Sequence, residues 1–280
     1  MNSCLKNEAR RCRPLLGTLV EITASGLREP RVLAAIESAF AAVESVQRLM
    51  SIHDESSELS AVNRAAHRRP VQLSPSTRVV LAKGLALAEQ SDGAFDFTVG
   101  STLARWQLLP NHLRRRNAGD WRDVELLPDG RVRFRRPLAL DLGGIAKGYA
   151  VDLAVEVLRR AGVTSGLVNA GGDLRGFGHT AIVHLRHPAQ PWCSAHSLAI
   201  SNRALATSSP CFTRRRWRGQ TISHLVALDR HTAVTANASV SVAADECWVA
   251  DALTKVVWNA PSRAGRLLAL HRAEAFVLAA

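Results

Sequence analysis

The segment 141–178, DLGGIAKGYAVDLAVEVLRRAGVTSGLVNAGGDLRGFG, constrains the fold of this chain more than any other part of the sequence. The apolar run Pro137–Leu142 predicts a strand, and the apolar spacing of Lys147–Ala161 predicts a helix. Ser165–Ala170 predicts a second strand. Each predicted strand is followed by a Gly-Gly pair. The segment therefore predicts a strand, a helix and a strand with sterically open turns at both strand ends.

The residues at these two turns favour an anion-binding cleft. Glycines allow close approach of a ligand, and a helix N-terminus offers unpaired N–H groups to an anion. Lys147 adds positive charge, while Asp141 and Asp173 place one carboxylate at each strand end. Two ordinary turns would give the same pattern, and the spacing alone does not separate them from a nucleotide site. The dinucleotide fingerprint G-x-G-x-x-G is absent from the segment.

The remaining elements mix strands and helices without a strict βαβ order. We therefore predict an α+β fold of mixed sheets with packed helices, in one compact two-lobed domain over residues 1–280. Residues 1–13 are expected to be flexible. Further strands are predicted at Leu16–Thr23, Ala181–Arg186, Ser197–Ile200, Leu225–Leu228 and Ser239–Ala244, and further helices at Pro30–Met50, Ser74–Ser91 and Cys247–Trp258.

The composition predicts a folded, basic protein. Of the 280 residues, 47% are hydrophobic, which is enough for a large core, and the formal net charge is +12. A positive surface attracts nucleotides, nucleic acids, acidic lipids or acidic proteins alike. A nucleic-acid-binding module is thus a remote alternative, although solvated loops explain the basic clusters as well. These clusters are Arg10-Arg11, Arg114–Arg116, Arg131–Arg136 and Arg214–Arg218.

The sequence favours a cytoplasmic location without membrane insertion. The five cysteines are odd in number and contain no C-x-x-C pair, so a disulfide framework is not expected. The first residues are charged and lack the apolar run of a signal peptide. No stretch approaches the roughly 20 apolar residues of a membrane-spanning helix.

The motif DLGGIAKGYAVD at 141–152, followed by LVNAGGDLRGFG at 167–178, closely resembles the ApbE-like family of FAD:protein FMN transferases. Several shorter motifs in the same order extend this resemblance over most of the chain. They are LGT at 16–18, MS at 50–51, SEL at 57–59 with Asn63, DGAFDFTVG at 92–100, ATSS at 206–209, SVSV at 239–242 and ADAL at 250–253.

The resemblance implies a reaction in which FAD is the substrate. The pyrophosphate of FAD is cleaved, FMN is joined through its phosphate to a Thr or Ser of an acceptor protein, and AMP leaves. The acceptor carries a D-x-x-(S/T)-G-A-(S/T)-like motif, and magnesium usually assists. Binding or hydrolysis of FAD by the same fold, without modification of a partner, is the alternative.

The resemblance also implies a set of FAD-binding residues. Asp96 has a second interpretation, since an Asp in an Ala-Phe-Asp turn is often only a turn cap. Position by position, the implied contacts with FAD are Leu16, His53, Ala94, Phe95, Asp96, Asp141, Lys147 and Val226.

Gly144 and Asp251 fall at positions that coordinate metal in this family. Relatives carry A-D-A-L-x-T, whose Thr is a further ligand, but this chain has Lys255 there and Thr254 one residue earlier. Thr254 or backbone carbonyls complete a magnesium site, or Lys255 neutralises the pyrophosphate in place of a metal. Asp251 alone could equally be a buried, hydrogen-bonded acid.

His224 is the candidate general base for the acceptor hydroxyl, because a neutral imidazole accepts protons near neutral pH. The family pattern H-x-x-D-P-x-T-G is altered after it, and the nearest acid is Asp229. A histidine satisfied within the core is the other interpretation. These departures keep the alternative of hydrolysis without transfer open.

Overall fold

The computed structural model describes residues 8–113 and 119–280. The predicted arginine cluster Arg114–Arg116 therefore lies outside the described residues. The strands are β1 (Glu8–Leu15), β2 (Thr18–Ser25), β3 (Val71–Gln72), β4 (Val124–Leu126), β5 (Arg131–Phe134), β6 (Ser165–Ala170), β7 (Asp173–Phe177), β8 (Thr180–Arg186), β9 (Ser194–Ser201), β10 (Ala204–Ser208), β11 (Arg215–Trp217), β12 (Gln220–Ile222), β13 (Ala238–Ala244) and β14 (Glu274–Ala279). The helices are α1 (Glu29–Met50), α2 (Glu58–Ala65), α3 (Pro75–Gln90), α4 (Gly100–Arg105), α5 (Ala146–Arg160), α6 (Cys247–Asn259) and α7 (Pro261–Leu270).

Seven strands form the main sheet in the order β1-β2-β6-β7-β10-β13-β14, and every neighbouring pair is antiparallel. Helix α1 packs against α5, and α5 packs against α6. Strands β3, β5 and β4 make a smaller sheet, while β8–β9 and β11–β12 are hairpins. This mixture of helices and antiparallel sheets confirms the predicted α+β class.

Alternate residues of each strand point to opposite faces of the main sheet. Other elements pack against both of these faces. Strand β7 shows this alternation, with Asp173 and Arg175 directed at residues of α5. Leu174, between them, belongs to a separate apolar cluster with Leu185 and Ile200 of the β8–β9 hairpin. The helices thus cover one face, and this hairpin covers part of the other.

The bounds of most predicted elements are confirmed within one to three residues. The prediction that residues 8–13 are flexible is wrong. Residues 8–13, expected to be flexible, belong to β1, which pairs with β2 along its whole length. The mixture of charged and apolar residues in this stretch hid the strand. Arg10 pairs with Glu21 of β2, and Arg13 reaches Glu37 and Glu44 of α1.

Two further predicted strands are wrong. Pro137–Leu142 is extended but forms only an isolated bridge, from Ala139 to Val99, and Leu225–Leu228 forms only a bridge from Val226 to Ala233. The first run is buried in the core through Leu138, Leu140 and Leu142, whereas the second buries only Val226, and both lie beside the cavity. Burial without strand pairing gives the same sequence pattern as a buried strand.

No helix among residues 8–113 and 119–280 is long and apolar enough to cross a membrane. The cytoplasmic location stays a prediction. The four cysteines in this part of the chain are all free, and Cys247 is buried.

Candidate active site

A cavity of about 780 Å³ opens between the helical layer and the loops that follow β10 and β12. This volume lies within the range of roughly 300–1,000 Å³ that is usual for ligand pockets. The cavity brings together all eight residues predicted to bind FAD. Its lining includes Leu16, His53, Ala94, Phe95, Asp96, Asp141, Gly144, Lys147, His224, Val226 and Lys255.

The β1–β2 turn presents Leu16 to the cavity. Leu16 and Gly17 form a two-residue hairpin turn with φ values of 56° and 70°. Such turns need positive φ at both central residues, which glycine or asparagine adopts easily and leucine does not. The N–H of Leu16 donates to the side-chain oxygen of Gln47 on α1. The strained leucine is thus held in place from a second element, as strained residues at ligand sites usually are.

The loop at 94–98 forms another wall, where Asp96 caps a turn as predicted, while its contact with FAD stays a prediction. Asp96 Oδ1 accepts hydrogen bonds from the N–H and hydroxyl of Thr98, at 2.7 and 2.6 Å, so it caps a turn. It also lines the cavity, and its Oδ2 lies 3.4 Å from Nε of Arg230. Burial raises the pKa of Asp96, whereas the Arg230 charge and the Thr98 hydrogen bonds oppose that rise.

Asn259 joins the loop at 94–98 to the wall that carries His224. Its side-chain amide donates to the carbonyl of Ala94 at 3.1 Å and to that of Val226 at 3.2 Å. Asn259, Gln47 and Trp258 also line the cavity, although no motif in the sequence marks them as site residues. An amide at the buried end of a helix, as Asn259 is at the end of α6, is the signal that could have revealed it.

Hydrogen bonds to the residues before and after Asp141 in the chain hold it in place. Asn63, within the predicted SEL…N motif, accepts from the N–H of Leu140 at 2.8 Å and donates to its carbonyl at 3.0 Å. The N–H of Asp141 donates to the carbonyl of Phe97, and Gly143 N–H donates to Asp141 Oδ1 at 3.0 Å. Burial raises the pKa of Asp141, while the hydrogen bond from Gly143 lowers it.

Lys147 stands at the start of α5, with its ammonium paired to the carboxylate of Asp173 on β7. The Lys147 side chain is 35% exposed and lines the cavity, whereas that of Asp173 is 3% exposed and lies behind it. Burial alone would lower the pKa of Lys147, but the charges of Asp173 and Asp251 outweigh it and raise that pKa. The cavity therefore faces a permanently charged ammonium.

The second Gly-Gly pair, Gly171-Gly172, was predicted to line the cleft, but it does not line the cavity. Gly171 and Gly172 form the β6–β7 turn, with φ values of 67° and 109°. A side chain at Gly171 would meet the Thr18 hydroxyl at 2.3 Å, so this glycine allows two turns of the sheet to pack together. Asn169 accepts from the N–H of Gly172 at 2.9 Å. Only the first pair, at the start of α5, is part of the cavity wall.

The residues predicted to hold magnesium are engaged with one another. The Asp251 carboxylate pairs with the Lys255 ammonium through Oδ1, and its Oδ2 lies 3.4 Å from the N–H of Gly148. Thr254 donates its hydroxyl to the Asp251 carbonyl at 2.6 Å and shares a 2.7 Å hydrogen bond with Ser208. Asp251 and Thr254 are both buried, and neither lines the cavity. This donor set does not fit a divalent cation, which requires free oxygen ligands.

His224 is exposed on the cavity wall close to Asp141, Arg215 and His53. Partial loss of solvation lowers its pKa below the ordinary 6.5, the Asp141 charge opposes this, and the Arg215 and His53 charges add to it. The imidazole is thus neutral near pH 7. The alternative of a histidine satisfied within the core is wrong.

In the part of the chain that the structure describes, arginines of three basic clusters make local contacts. Arg10 pairs with Glu21 on the main sheet, and Arg131 pairs with Asp129 at the small sheet. Arg215 donates to the backbone carbonyl of Trp106 at 3.0 Å. These three arginines are therefore engaged with groups of the protein itself.

The fold and the site together define an α+β protein whose helical layer carries a cavity lined by two lysines, two half-buried carboxylates and a histidine. The chain belongs to the ApbE family, whose sequence model matches residues 16–277.

Similar proteins bear flavin transferase names. An FAD:protein FMN transferase of Treponema pallidum is 29% identical over 188 residues, which is 61% of this chain and 52% of that protein. One from Chlamydia pneumoniae is 28% identical over 230 residues, covering 74% of this chain and 70% of the other. The chain thus spans about half the length of the Treponema relative.

Solved structures share the fold. The ApbE protein of Thermotoga maritima superimposes with a TM-score of 0.84 at 23% identity, covering 97% of this chain and 94% of its own. The apo form of the Pseudomonas stutzeri flavinyl transferase ApbE also has a TM-score of 0.84, at 20% identity, over 99% and 92% of the two chains.

Proposed function

We propose that this protein is an FAD:protein FMN transferase. The observation that carries the proposal is the cavity wall around Asp141, Lys147 and Lys255, where two ammonium groups face the cavity and their carboxylate partners lie behind them. Such a wall attracts the pyrophosphate of a dinucleotide. The apolar side chains on the other walls, such as Leu16 and Phe95, suit the flat isoalloxazine ring.

The reaction would proceed by displacement at the FMN phosphorus. The hydroxyl oxygen of an acceptor Thr or Ser forms a new P–O bond, and the bond from this phosphorus to the bridging oxygen breaks. AMP departs with the bridging oxygen and its electron pair. Lys147 and Lys255 orient the pyrophosphate and stabilise its charge, which is the main task of a protein in phosphoryl transfer.

His224 would take the proton of the acceptor hydroxyl. Its lowered pKa leaves the imidazole neutral near pH 7, so that it can accept a proton, and its exposure lets an acceptor segment reach it. Asp141 lies near enough to influence this pKa and would stabilise the imidazolium that forms.

Magnesium, which the resemblance implies, has no role in this mechanism. Asp251 and Thr254, its expected ligands, are occupied by Lys255 and Ser208.

The test of transfer uses the purified protein, FAD and an acceptor carrying the D-x-x-(S/T)-G-A-(S/T)-like motif. We expect flavin fluorescence that stays with the acceptor in a denaturing gel, together with one AMP released for each flavin attached. An acceptor whose final Thr or Ser is replaced by Ala is the control. Release of both AMP and FMN with no labelled acceptor would instead establish hydrolysis of FAD.

A further inference from the structure

The placement of lysine in this chain is unusual. The sequence has only four lysines, Lys6, Lys83, Lys147 and Lys255, among its 36 Lys and Arg residues. Two of the four line the cavity. Lys83 lies over the ring of Trp248, 4.0 Å from its centre, and Lys6 lies outside the described residues. An ammonium is a compact point charge with three donors, in contrast to the planar guanidinium.

Lys255 makes two contacts with Asp251, one helical turn earlier on α6. Its Nζ pairs with Asp251 Oδ1 and donates to the Asp251 carbonyl at 3.0 Å. An ammonium has three donors, so one remains for a group in the cavity. The Lys255 side chain is 20% exposed and that of Asp251 only 1%, which places the positive group between the carboxylate and the cavity.

Gly144 lies on the other side of the Lys255 side chain. A Cβ added at Gly144 would lie 3.1 Å from Cε and 3.7 Å from Nζ of Lys255. The ammonium thus lies next to both Gly144 and Asp251, the two positions where the resemblance implies a metal ion. A divalent ion there would have to displace the ammonium from Asp251 or lie beside a like charge, and both cost free energy.

We infer that the Lys255 ammonium takes the place of the divalent cation, so that this protein binds FAD without a metal. The inference rests on the proposed function, because the pyrophosphate of FAD is the group that Lys255 would contact. Lys255 supplies one positive charge where a divalent ion supplies two. Lys147, which flanks the same wall, shares the task of neutralising the phosphates.

The test compares FAD binding in EDTA and in millimolar Mg²⁺, followed by flavin fluorescence and by calorimetry. For the natural protein we expect the Kd to agree within about twofold between the two conditions. Lys255→Thr frees Asp251 and restores the relatives' threonine, so its Kd should be about tenfold higher in EDTA and recover with Mg²⁺. Lys83→Met removes a lysine outside the cavity and should leave the Kd unchanged in both conditions.

Lys255→Met leaves Asp251 buried without its partner and could unfold the chain. The double variant Lys255→Met, Asp251→Asn removes both charges and keeps the site neutral. We expect it to fold, as judged by its melting temperature, and to bind FAD about tenfold more weakly whether or not Mg²⁺ is present.

Loss of FAD binding by the natural protein in EDTA, with recovery in Mg²⁺, would overturn the inference. A Lys255→Thr variant that binds FAD as tightly as the natural protein in EDTA would overturn it as well. Metal-independent FAD binding that needs Lys255, without any AMP release or acceptor labelling, would support the role of Lys255 and contradict only the transferase proposal.

Discussion

At the scale of single residues, Leu16 combines backbone strain with a place on the cavity wall. Leucine at a φ of 56° adopts the left-handed conformation, which costs an L-residue roughly 1–2 kcal/mol, whereas asparagine tolerates it. Leu16→Asn and Leu16→Ala remove the same apolar contact. We therefore expect Leu16→Asn to be about 1 kcal/mol more stable than Leu16→Ala in urea unfolding.

Both Leu16 variants should bind FAD more weakly than the natural protein, and to a similar extent. Equal stability of the two variants would show that the turn is not strained. An unchanged FAD affinity in both would show that Leu16 does not contact the ligand.

The role of His224 as a general base predicts how the rate of acceptor labelling depends on pH. A general base works only when neutral, so acceptor labelling should fall as the pH drops through the His224 pKa, which lies below 6.5. The rate should therefore be constant from pH 7 upward and decline only in acid. Because the Asp141 charge raises this pKa, Asp141→Asn should move the decline to still lower pH.

Steady-state labelling rates between pH 5 and 8 would check this prediction about His224. His224→Asn should lose most of the activity and the acid limb together. A decline with its midpoint above 6.5, or one that persists in His224→Asn, would assign the proton transfer to another group.

At the scale of elements, the Lys147–Asp173 pair joins α5 to the main sheet. Lys147→Met leaves a carboxylate that is 3% exposed without its partner, which should cost about 3–5 kcal/mol of unfolding free energy. Adding Asp173→Asn removes that charge, so the double variant should regain most of the stability but not the FAD affinity. Additive effects of the two substitutions on unfolding would contradict the pairing.

The crossing of α5 and α6 depends on Gly148. A side chain there would lie 2.5 Å from the carbonyl oxygen of Cys247, so Gly148→Ala should separate the helices and destabilise the protein by about 1–3 kcal/mol. Gly265 of α7 has nothing within 4 Å of an added Cβ. Gly265→Ala is thus the matched control, and it should stabilise by roughly 0.5–1 kcal/mol. Thermal unfolding of both variants would test this prediction. Similar changes in stability for the two variants would contradict the close crossing of α5 and α6.

The elements that the sequence predicted well are those whose apolar residues recur at a regular spacing. Helices α1, α5 and α6 have apolar residues three and four apart, and their ends lie within a residue or two of the prediction. Strand β1 was missed because three of its eight residues are arginines. Pro137–Leu142 is apolar but holds its backbone to Asn63 and Phe97 rather than to a strand. No local pattern reveals such distant partners.

At the scale of the whole molecule, the sequence identified most of the cavity through an ordered series of motifs. It did not identify what Asp251 does, since only the fold shows the Lys255 ammonium between that carboxylate and the cavity. It also missed Asn259, which bonds to two loops distant in sequence. The cavity depends on the fold as a whole, because its walls come from both halves of the chain.

A titration of FAD into the purified protein shows whether this cavity binds FAD at the wall of Asp141 and Lys147. We expect saturable binding of one FAD per chain, with weaker binding of AMP and of FMN. Asp141→Asn, which keeps an acceptor for Gly143, should weaken binding about tenfold, whereas the exposed Leu228→Ala should not. No saturable binding, or an affinity unchanged by Asp141→Asn and by the Lys147→Met, Asp173→Asn pair, would contradict the account.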